Sequence, residues 1–197
     1  IKQPEKLTVS VAPTIAYCNN GKGSLQATAN GGSEIEESQS DRIYSYTLFD
    51  ANDNPLQTLF GNKVNFTALA SGNYKVVATD SKNNKTVPFL VTLDQPSPIE
   101  VTLTNKEKVT CFKGNDGSIS ISVKGGTPNI INNNPVYSYE WKKDGIVINV
   151  NDNLSPTLLK SGTYSVKVFD GNYNSNDPNF CIGILDNIII TQPADFG

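Results

Sequence analysis

A twelve-residue segment, called the repeated line below, occurs twice in this chain with similar sequence, so the chain must adopt a fold that contains two similar units. LASGNYKVVATD occupies residues 69–80, and LKSGTYSVKVFD occupies residues 159–170. The Leu, Ser, Gly, Tyr, one Val and the closing Asp are identical in the two copies. In each copy the Tyr, the Val and the next even position are separated by single residues, which is the period of a strand with one buried face. The line therefore predicts one core strand in each of two similar units.

The similarity extends well beyond this line. In each unit an alternating strand, a cysteine, a Gly-Gly pair and a Tyr-Ser-Tyr sequence precede it, and a Gln-Pro pair follows it. An earlier Gln-Pro pair stands at residues 3–4. We therefore interpret residues 1–4 as the tail of a preceding repeat, residues 5–96 as the first unit and residues 97–197 as the second. On this interpretation the chain is a piece of a longer protein.

The composition favours strands and turns throughout. Short runs rich in Val, Ile, Thr, Tyr and Phe alternate with clusters of Asn, Gly, Asp and Ser, and no segment carries a sustained helical period. Each unit is close to the ~100 residues of an immunoglobulin domain. The sequence predicts an all-β fold of two tandem immunoglobulin-like or fibronectin-III-like antiparallel β-sandwiches.

Three residue types in the repeat have an expected structural role. Tyr74 and Tyr164 follow Gly72 and Gly162 at the start of the repeated strand, which is the pattern of a tyrosine corner, so each hydroxyl should bond backbone near Ala70 or Lys160. Trp141, the only tryptophan, should be buried on the third strand, where the first unit has Leu48. The alternatives are ligand-binding tyrosines and a tryptophan that stacks on a sugar.

The composition also excludes several classes of function. The chain has no histidine, which removes the usual general base and nearly all zinc sites. The net charge is −3 and the lysines and arginines are scattered, so we expect no nucleic-acid partner. No apolar run is long enough to insert into a membrane. Two small sandwiches offer no cleft for a pair of catalytic carboxylates, so we expect no enzyme.

Several stretches of the second unit together resemble the SprB repeat. They are CFKGNDGSISISVKGG at residues 111–126, PVYSYEW at 135–141, the repeated line, a late cysteine and the closing TQP at 191–193. This family occurs in tandem in very large surface proteins of gliding Bacteroidetes-type bacteria. The resemblance implies export by the type IX route, a cell-surface location, neighbouring repeats of the same chain as partners, and a substratum or polysaccharide as ligand.

The resemblance therefore implies a non-catalytic repeat segment of a secreted adhesin that acts in surface attachment and gliding motility. A pure structural spacer is one alternative, and an accessory module of a secreted polysaccharide-degrading enzyme is another. As a fragment, the chain is expected to be a monomer.

The family's paired cysteines correspond to Cys111 and Cys181. In a sandwich we expect the start of the second strand and the loop before the last strand to lie at the same end, which would bring these two cysteines together. We predict a disulfide between them, worth about 4 kcal/mol in the chain-entropy model, and a free thiol at Cys18. The alternative is three free thiols, as in a cytosolic protein.

Two kinds of loop are candidate binding sites. The stretch between the Gly-Gly pair and Tyr-Ser-Tyr is acidic in the first unit, with Glu34, Glu36, Glu37 and Asp41, and neutral in the second, with Asn132, Asn133 and Asn134. A calcium site is a further candidate, with Asp116 expected at the same end of the sandwich as the other oxygen ligands, which are Asp170, Asn172, Asn174 and Asp177. The alternatives are tolerated surface insertions and turn residues that cap backbone.

Overall fold

The computed structural model describes residues 5–32, 44–171 and 181–195. These residues form antiparallel strands and no helix, as the sequence predicts. The described part of the chain accordingly holds no helix that could span a membrane. The chain divides into two compact units, Ile1–Gln95 and Pro96–Gly197.

The first unit is a sandwich of two antiparallel sheets. One sheet has the order β1-β2-β5, and the other has the order β4-β3-β6-β7. The strands are β1 (Thr8–Thr14), β2 (Gly23–Asn30), β3 (Tyr44–Phe49), β4 (Pro55–Gly61), β5 (Lys63–Leu69), β6 (Gly72–Thr79) and β7 (Phe89–Leu93). Every second residue of strand β2 is buried, because one face packs against the second sheet.

The second unit repeats this plan with two changes. Its larger sheet has the order β13-β12-β14-β15, its smaller sheet is the pair β8-β9, and a separate hairpin pairs β10 with β11. The strands are β8 (Glu100–Glu107), β9 (Ser118–Lys124), β10 (Asn129–Ile131), β11 (Asn134–Val136), β12 (Ser138–Lys143), β13 (Ile146–Ile148), β14 (Gly162–Phe169) and β15 (Ile182–Ile190).

An irregular segment takes the place of β5 in the second unit. Residues 149–161 run beside β9, and the backbone N–H groups of Ile119 and Ile121 donate to the carbonyls of Pro156 (3.0 Å) and Leu154 (2.8 Å). The Asp152 carboxylate accepts hydrogen bonds from the backbone N–H groups of Leu154 and Ser155. Capped turns of this kind compete with a regular ladder, and proline cannot donate to one.

Each unit has its own apolar core. In the first unit Tyr46, Leu48 and Phe66 are fully buried, and Trp141 fills the corresponding space in the second. The repeated line supplies one core strand to each, with Val76 and Ala78 in β6 and with alternate residues of β14. The two copies recur because each core must be closed separately.

The two ends of the second sandwich are defined by its backbone hydrogen bonds. At the corner end, the turn between β8 and β9 meets the residues after β15, and Val109 N–H donates to the Thr191 carbonyl at 2.9 Å. At the loop end, Gly126 N–H donates to the Ser97 carbonyl at 3.0 Å. Strand β9 runs from one end to the other, which separates them by about 20 Å.

Candidate binding surface

The two corner tyrosines hold backbone. Tyr164 O–H donates to the Lys160 carbonyl at 2.7 Å, and Tyr74 O–H donates to the Ala70 carbonyl at 2.9 Å. Burial raises the pKa of both phenols. A Cβ at Gly162 would lie 2.7 Å from Cε of Lys143, which is the far end of a flexible side chain that can move aside. These contacts are those of a structural corner.

The Gly-Gly pairs and the Tyr-Ser-Tyr sequences meet at the loop end. Tyr137 O–H donates to the Gly125 carbonyl at 2.8 Å, and Tyr44 O–H makes the same bond to Gly31 at 2.9 Å. Gly125 has a φ of 84°, and a Cβ there would lie 2.0 Å from the Pro98 carbonyl oxygen. Only glycine accepts both the left-handed backbone and this close approach.

The closing Asp of the repeated line completes the loop end. The buried Asp170 carboxylate accepts hydrogen bonds from the backbone N–H (2.8 Å) and the hydroxyl (3.1 Å) of Thr127. In the first unit the Asp80 carboxylate accepts the N–H groups of Lys82 (2.9 Å) and Asn84 (2.8 Å). Both aspartates therefore fix the foot of a neighbouring loop.

Sequence reasoning missed the role of the Gln-Pro pairs. The Gln95 side-chain oxygen accepts the Asn20 N–H at 2.8 Å, and the Gln192 oxygen accepts the Lys113 N–H at 3.0 Å. Each bond fixes a four-residue cysteine turn, residues 18–21 or 111–114, in which the glycine N–H donates to the cysteine carbonyl at 3.0 Å. The signal was available in the sequence, since Gln-Pro and Cys-x-x-Gly recur together in both units.

The predicted cysteine pairing is wrong. Cys111 is free and exposed, whereas Cys18 and Cys181 are disulfide-bonded. Cys111 lies in the cysteine turn at the corner end of the second unit. Cys181 directly precedes β15, whose nine residues run from the loop end to the corner end. The two cysteines are therefore about 30 Å apart, since a strand rises by about 3.3 Å per residue.

The expectation that Asp116 lies at the same end as Asp170 is wrong for the same reason. Asp116 belongs to the turn before β9, where its carboxylate accepts the Thr110 N–H at 3.0 Å and a very short bond from the Thr110 hydroxyl. These bonds hold the pKa of Asp116 below its usual value. Asn172, Asn174 and Asp177 lie outside the described residues. Within residues 5–32, 44–171 and 181–195 there is no cluster of three or more potential metal ligands of the His, Cys, Asp or Glu type.

The loop between Gly126 and Tyr137 is an ordered hairpin. Strands β10 and β11 are joined through Asn132 and Asn133, whose φ angles are 51° and 63°. Two left-handed central residues define a type I′ turn, which asparagine tolerates well. Asn134 donates its side-chain N–H to the Asn132 carbonyl at 3.1 Å.

The hairpin leaves apolar side chains in solvent. Ile130 and Ile131 are 64% and 56% exposed, and they point to opposite sides of the ribbon because they are adjacent in a strand. Exposed amides at the turn stand next to these isoleucines. The corresponding loop of the first unit, with Glu34, Glu36, Glu37 and Asp41, lies outside the described residues. In the part of the chain that the structure describes, the hairpin is the candidate binding surface.

A second, open depression lies beside the tip of the β12–β13 hairpin. Asp144, Thr163, Ser165, Asp186 and Asn187 line it. A bulge in the pairing of β14 with β15 shapes it, and Asn187 has a φ of 59° at that point. Asp144 itself accepts the Thr163 N–H at 2.8 Å and pairs with Lys143. The depression is shallow and polar, and no exposed aromatic ring lines it.

Comparison with known families gives a match within the second unit. Residues 103–145 match the SprB repeat family. This stretch is similar to a SprB repeat. The match confirms the resemblance predicted from the sequence, and it covers the cysteine turn, β9, the hairpin and β12. The match suggests a repeat module of the kind found in adhesin-type cell-surface proteins.

Comparison with solved structures shows the fold. The three N-terminal domains of the highly immunogenic outer capsid protein Hoc of bacteriophage RB49 match 95% of this chain at 17% identity, with a TM-score of 0.52. The chain spans 59% of that Hoc structure. Titin domains I67–I69 match 94% of this chain at 13% identity, with a TM-score of 0.43. These are immunoglobulin-like proteins, and the likeness concerns the fold alone. No curated protein sequence matches the chain.

Proposed function

We propose that the chain is a non-catalytic repeat segment of a secreted cell-surface adhesin that acts in surface attachment and gliding motility. The observation that carries this proposal is the SprB match over residues 103–145. The recurring residues form the scaffold, because the corner tyrosines, the Gly-Gly pairs, the closing aspartates and the Gln-Pro glutamines all bond backbone. A scaffold built in this way leaves recognition to what projects from it.

The hairpin has the chemistry of a contact surface for neutral polysaccharide. Its turn presents the amides of Asn132, Asn133 and Asn134, which can donate to and accept from sugar hydroxyls. The flanking isoleucines offer apolar area for the C–H faces of a sugar ring. The hairpin carries no charged side chain, so it would bind without a strong dependence on salt.

The preformed turn lowers the cost of binding. Its two central asparagines are already left-handed, and the Thr127–Asp170 bonds fix its foot, so little backbone entropy remains to be lost on contact. A single hairpin offers a small area and a weak affinity. Many such repeats in one parent protein would bind by avidity.

We further propose that the segment is exported and lies on the bacterial cell surface. Disulfides persist in oxidising compartments, and two of the three cysteines of this chain are disulfide-bonded. The SprB match supports the same location, with the type IX route as the route of export.

The pure spacer remains the second candidate. It is favoured by the observation that every recurring residue with a described contact serves the scaffold. An adhesin segment and a spacer differ in one measurable property, which is whether the isolated chain binds anything.

Beads coated with the chain provide the test. We expect them to bind to agar and to members of a polysaccharide array, and we expect the variant I130T/I131T/N132G/N133G to lose at least about tenfold in bead retention, because glycines preserve the type I′ turn while the amides and apolar groups are removed. The matched control is I146T/V147T, which removes equally exposed apolar residues from the β12–β13 hairpin.

Two outcomes would contradict the proposal. Absence of binding by the unaltered chain at high bead density would favour the spacer. Equal loss in the two variants would mean that adhesion depends on general surface hydrophobicity. A catalytic domain elsewhere in the full-length parent sequence would instead support an accessory module of a polysaccharide-degrading enzyme.

A further inference from the structure

The cysteine turn has the same geometry in both units. In each, the third residue is left-handed, with a φ of 59° at Asn20 and 57° at Lys113. In each, the glycine N–H donates to the cysteine carbonyl at 3.0 Å, and a glutamine from the end of the same unit accepts the N–H of the third residue. Cys18 and Cys111 therefore occupy equivalent positions on equivalent backbones.

The bonding state of these two cysteines differs. Cys18 is disulfide-bonded, and Cys111 is free and exposed. The other bonded cysteine, Cys181, is buried directly before the last strand of its unit. The chain thus shows two positions in a repeat at which disulfides form: the cysteine turn and the residue before the last strand.

We propose that Cys111 is an attachment point for a second repeat, through a disulfide to a cysteine that stands where Cys181 stands, directly before the last strand of that repeat. The bonded state of Cys18, in the same turn, is the observation that distinguishes Cys111 from an incidental surface thiol. The partner is thus a protein of the same kind as this chain. The proposal is independent of whether the hairpin binds polysaccharide.

Cys111 cannot form this disulfide within its own unit. Its own Cys181 lies at the opposite end of the sandwich, about 30 Å away along β15. The Thr110 hydroxyl donates to Asp116 and lies 3.8 Å from the Cys111 sulfur, and Cys111 is exposed to solvent. A bond to Cys111 must therefore come from another repeat, and the thiol is accessible to one.

The chemistry balances with a small disulfide as the oxidant. The Cys111 thiolate attacks oxidised glutathione, forms a mixed disulfide and releases one glutathione thiolate. The partner's cysteine thiolate then attacks the Cys111 sulfur and releases the second glutathione. Two protein thiols are oxidised to one disulfide, and one molecule of oxidised glutathione is reduced to two of glutathione.

The experiment combines two copies that each offer one thiol. The unaltered chain presents Cys111, and the variant C18S/C111S retains Cys181 as its only cysteine. Circular dichroism first establishes that the variant is folded. The copies are mixed in a glutathione redox buffer, separated without reduction and mapped by mass spectrometry. We expect a Cys111–Cys181 heterodimer in at least about tenfold excess over the Cys111–Cys111 dimer.

The matched control is C111S/C181S, which retains only Cys18. Its thiol sits in the same kind of turn as Cys111, so it should join Cys111 no better than a second Cys111 does. Substitution C111S in the first copy should abolish the heterodimer. The proposal is overturned if Cys111 accumulates only as its glutathione adduct, or if it joins Cys181 and Cys18 equally.

A single substitution gives an independent measurement should the double variant fail to fold. Variant C18S keeps both Cys111 and Cys181, which are too far apart within the unit to join. We expect it to form a ladder of disulfide-linked oligomers whose links are mainly Cys111–Cys181, whereas the unaltered chain stops at dimers. A random mixture of links, or no ladder at all, contradicts the proposal.

Discussion

At the residue scale, the two tyrosine corners make the same bond in different surroundings. The Tyr164 ring is 1% exposed, whereas Tyr74 is only partly buried. A hydrogen bond beneath a buried ring is shielded from competing water, so its loss leaves the Lys160 carbonyl harder to satisfy. The corner of the second unit should therefore depend more strongly on its hydroxyl.

Substitution Y164F tests this dependence. We expect the free energy of unfolding of the second unit to fall by about 1 kcal/mol, the usual net value of such a bond, and we expect Y74F to cost less in the first unit. Urea unfolding measures both, and Y17F is the control because Tyr17 is largely exposed. An unchanged midpoint for Y164F would mean that water replaces the hydroxyl.

The buried phenols also make stability depend on alkaline pH. Burial raises the pKa of Tyr46, which the bond from Ala29 N–H opposes, and burial likewise raises the pKa of Tyr164. Below the pKa of an unfolded tyrosine, about 10, the phenols are protonated in both the folded and the unfolded state, so their contribution to the free energy of unfolding is fully present. As pH rises further, the unfolded state loses its proton first and stability falls.

We expect the free energy of unfolding to decrease between pH 9 and pH 11, roughly one unit either side of the pKa of a free tyrosine. We expect the free energy of unfolding of Y46F to decrease less steeply, because that variant lacks one tyrosine with a raised pKa. Urea unfolding across this range gives the slopes. The comparison of slopes removes the contribution of the lysines, which is common to both proteins. Equal slopes would contradict a raised pKa at Tyr46.

The residues of the corner were predictable because their signal is local. A tyrosine, a glycine and an alternating pattern lie within a few positions, and the Tyr O–H reaches a carbonyl four residues away. The cysteines were not predictable in this way. Their pairing depends on which end of a strand each residue occupies, and the prediction placed Cys111 and Cys181 at the same end of the sandwich, whereas they lie at opposite ends.

At the element scale, the Gly-Gly pair fixes how the first strand of a unit approaches its sandwich. Gly126 N–H donates to Ser97, and Gly125 passes close to Pro98. The same arrangement occurs in the first unit, where Gly32 N–H donates to the Glu5 carbonyl at 2.8 Å. The Gly-Gly pair therefore connects the end of the second strand of each sandwich to the segment that leads into its first strand.

Two glycines with nearly equal φ angles allow the cost of a left-handed backbone to be measured apart from the cost of a close approach to Pro98. Gly125 and Gly145 have φ angles of 84° and 83°, but a Cβ at Gly145 meets nothing within 4 Å. We expect G145A to cost about 1–2 kcal/mol for the left-handed backbone alone. We expect G125A to cost a further 1–3 kcal/mol, roughly the penalty of overpacking against the Pro98 carbonyl.

Thermal and urea unfolding of the two variants measure these costs. The difference between them is the informative quantity, since the backbone penalty is common to both. Equal destabilisation would mean that the entering segment moves aside without cost, and that the Gly-Gly pair is needed only for its backbone angles.

The strand pattern was predictable for most elements because alternation reports a buried face. The exceptions in the second unit have physical causes. Pro156 and the Asp152 cap prevent a regular strand beside β9, and the asparagine turn converts a predicted loop into the β10–β11 hairpin. In both places, side chains that bond or restrict their own backbone override the expected pattern.

At the scale of the whole molecule, the state of the three cysteines is the most direct check on the structure. In denaturant without reductant, we expect a thiol reagent to label Cys111 alone, because Cys18 and Cys181 are disulfide-bonded. After reduction all three should react. Peptide mapping identifies the labelled residue, and C111S should show no label before reduction. Label on Cys18 alone would restore the pairing expected from the sequence.

The hydrogen bonds at the foot of the β10–β11 hairpin also bear on how repeats diversify. Thr127 donates its N–H to Asp170 before the hairpin, and Tyr137 donates its O–H to the Gly125 carbonyl after it. Both ends of the hairpin are therefore hydrogen-bonded to the sandwich. We expect segments of other lengths to replace residues 128–136 without disturbing the core beneath them. Such tolerance would make the second unit a scaffold on which recognition sequences can be exchanged by protein engineering.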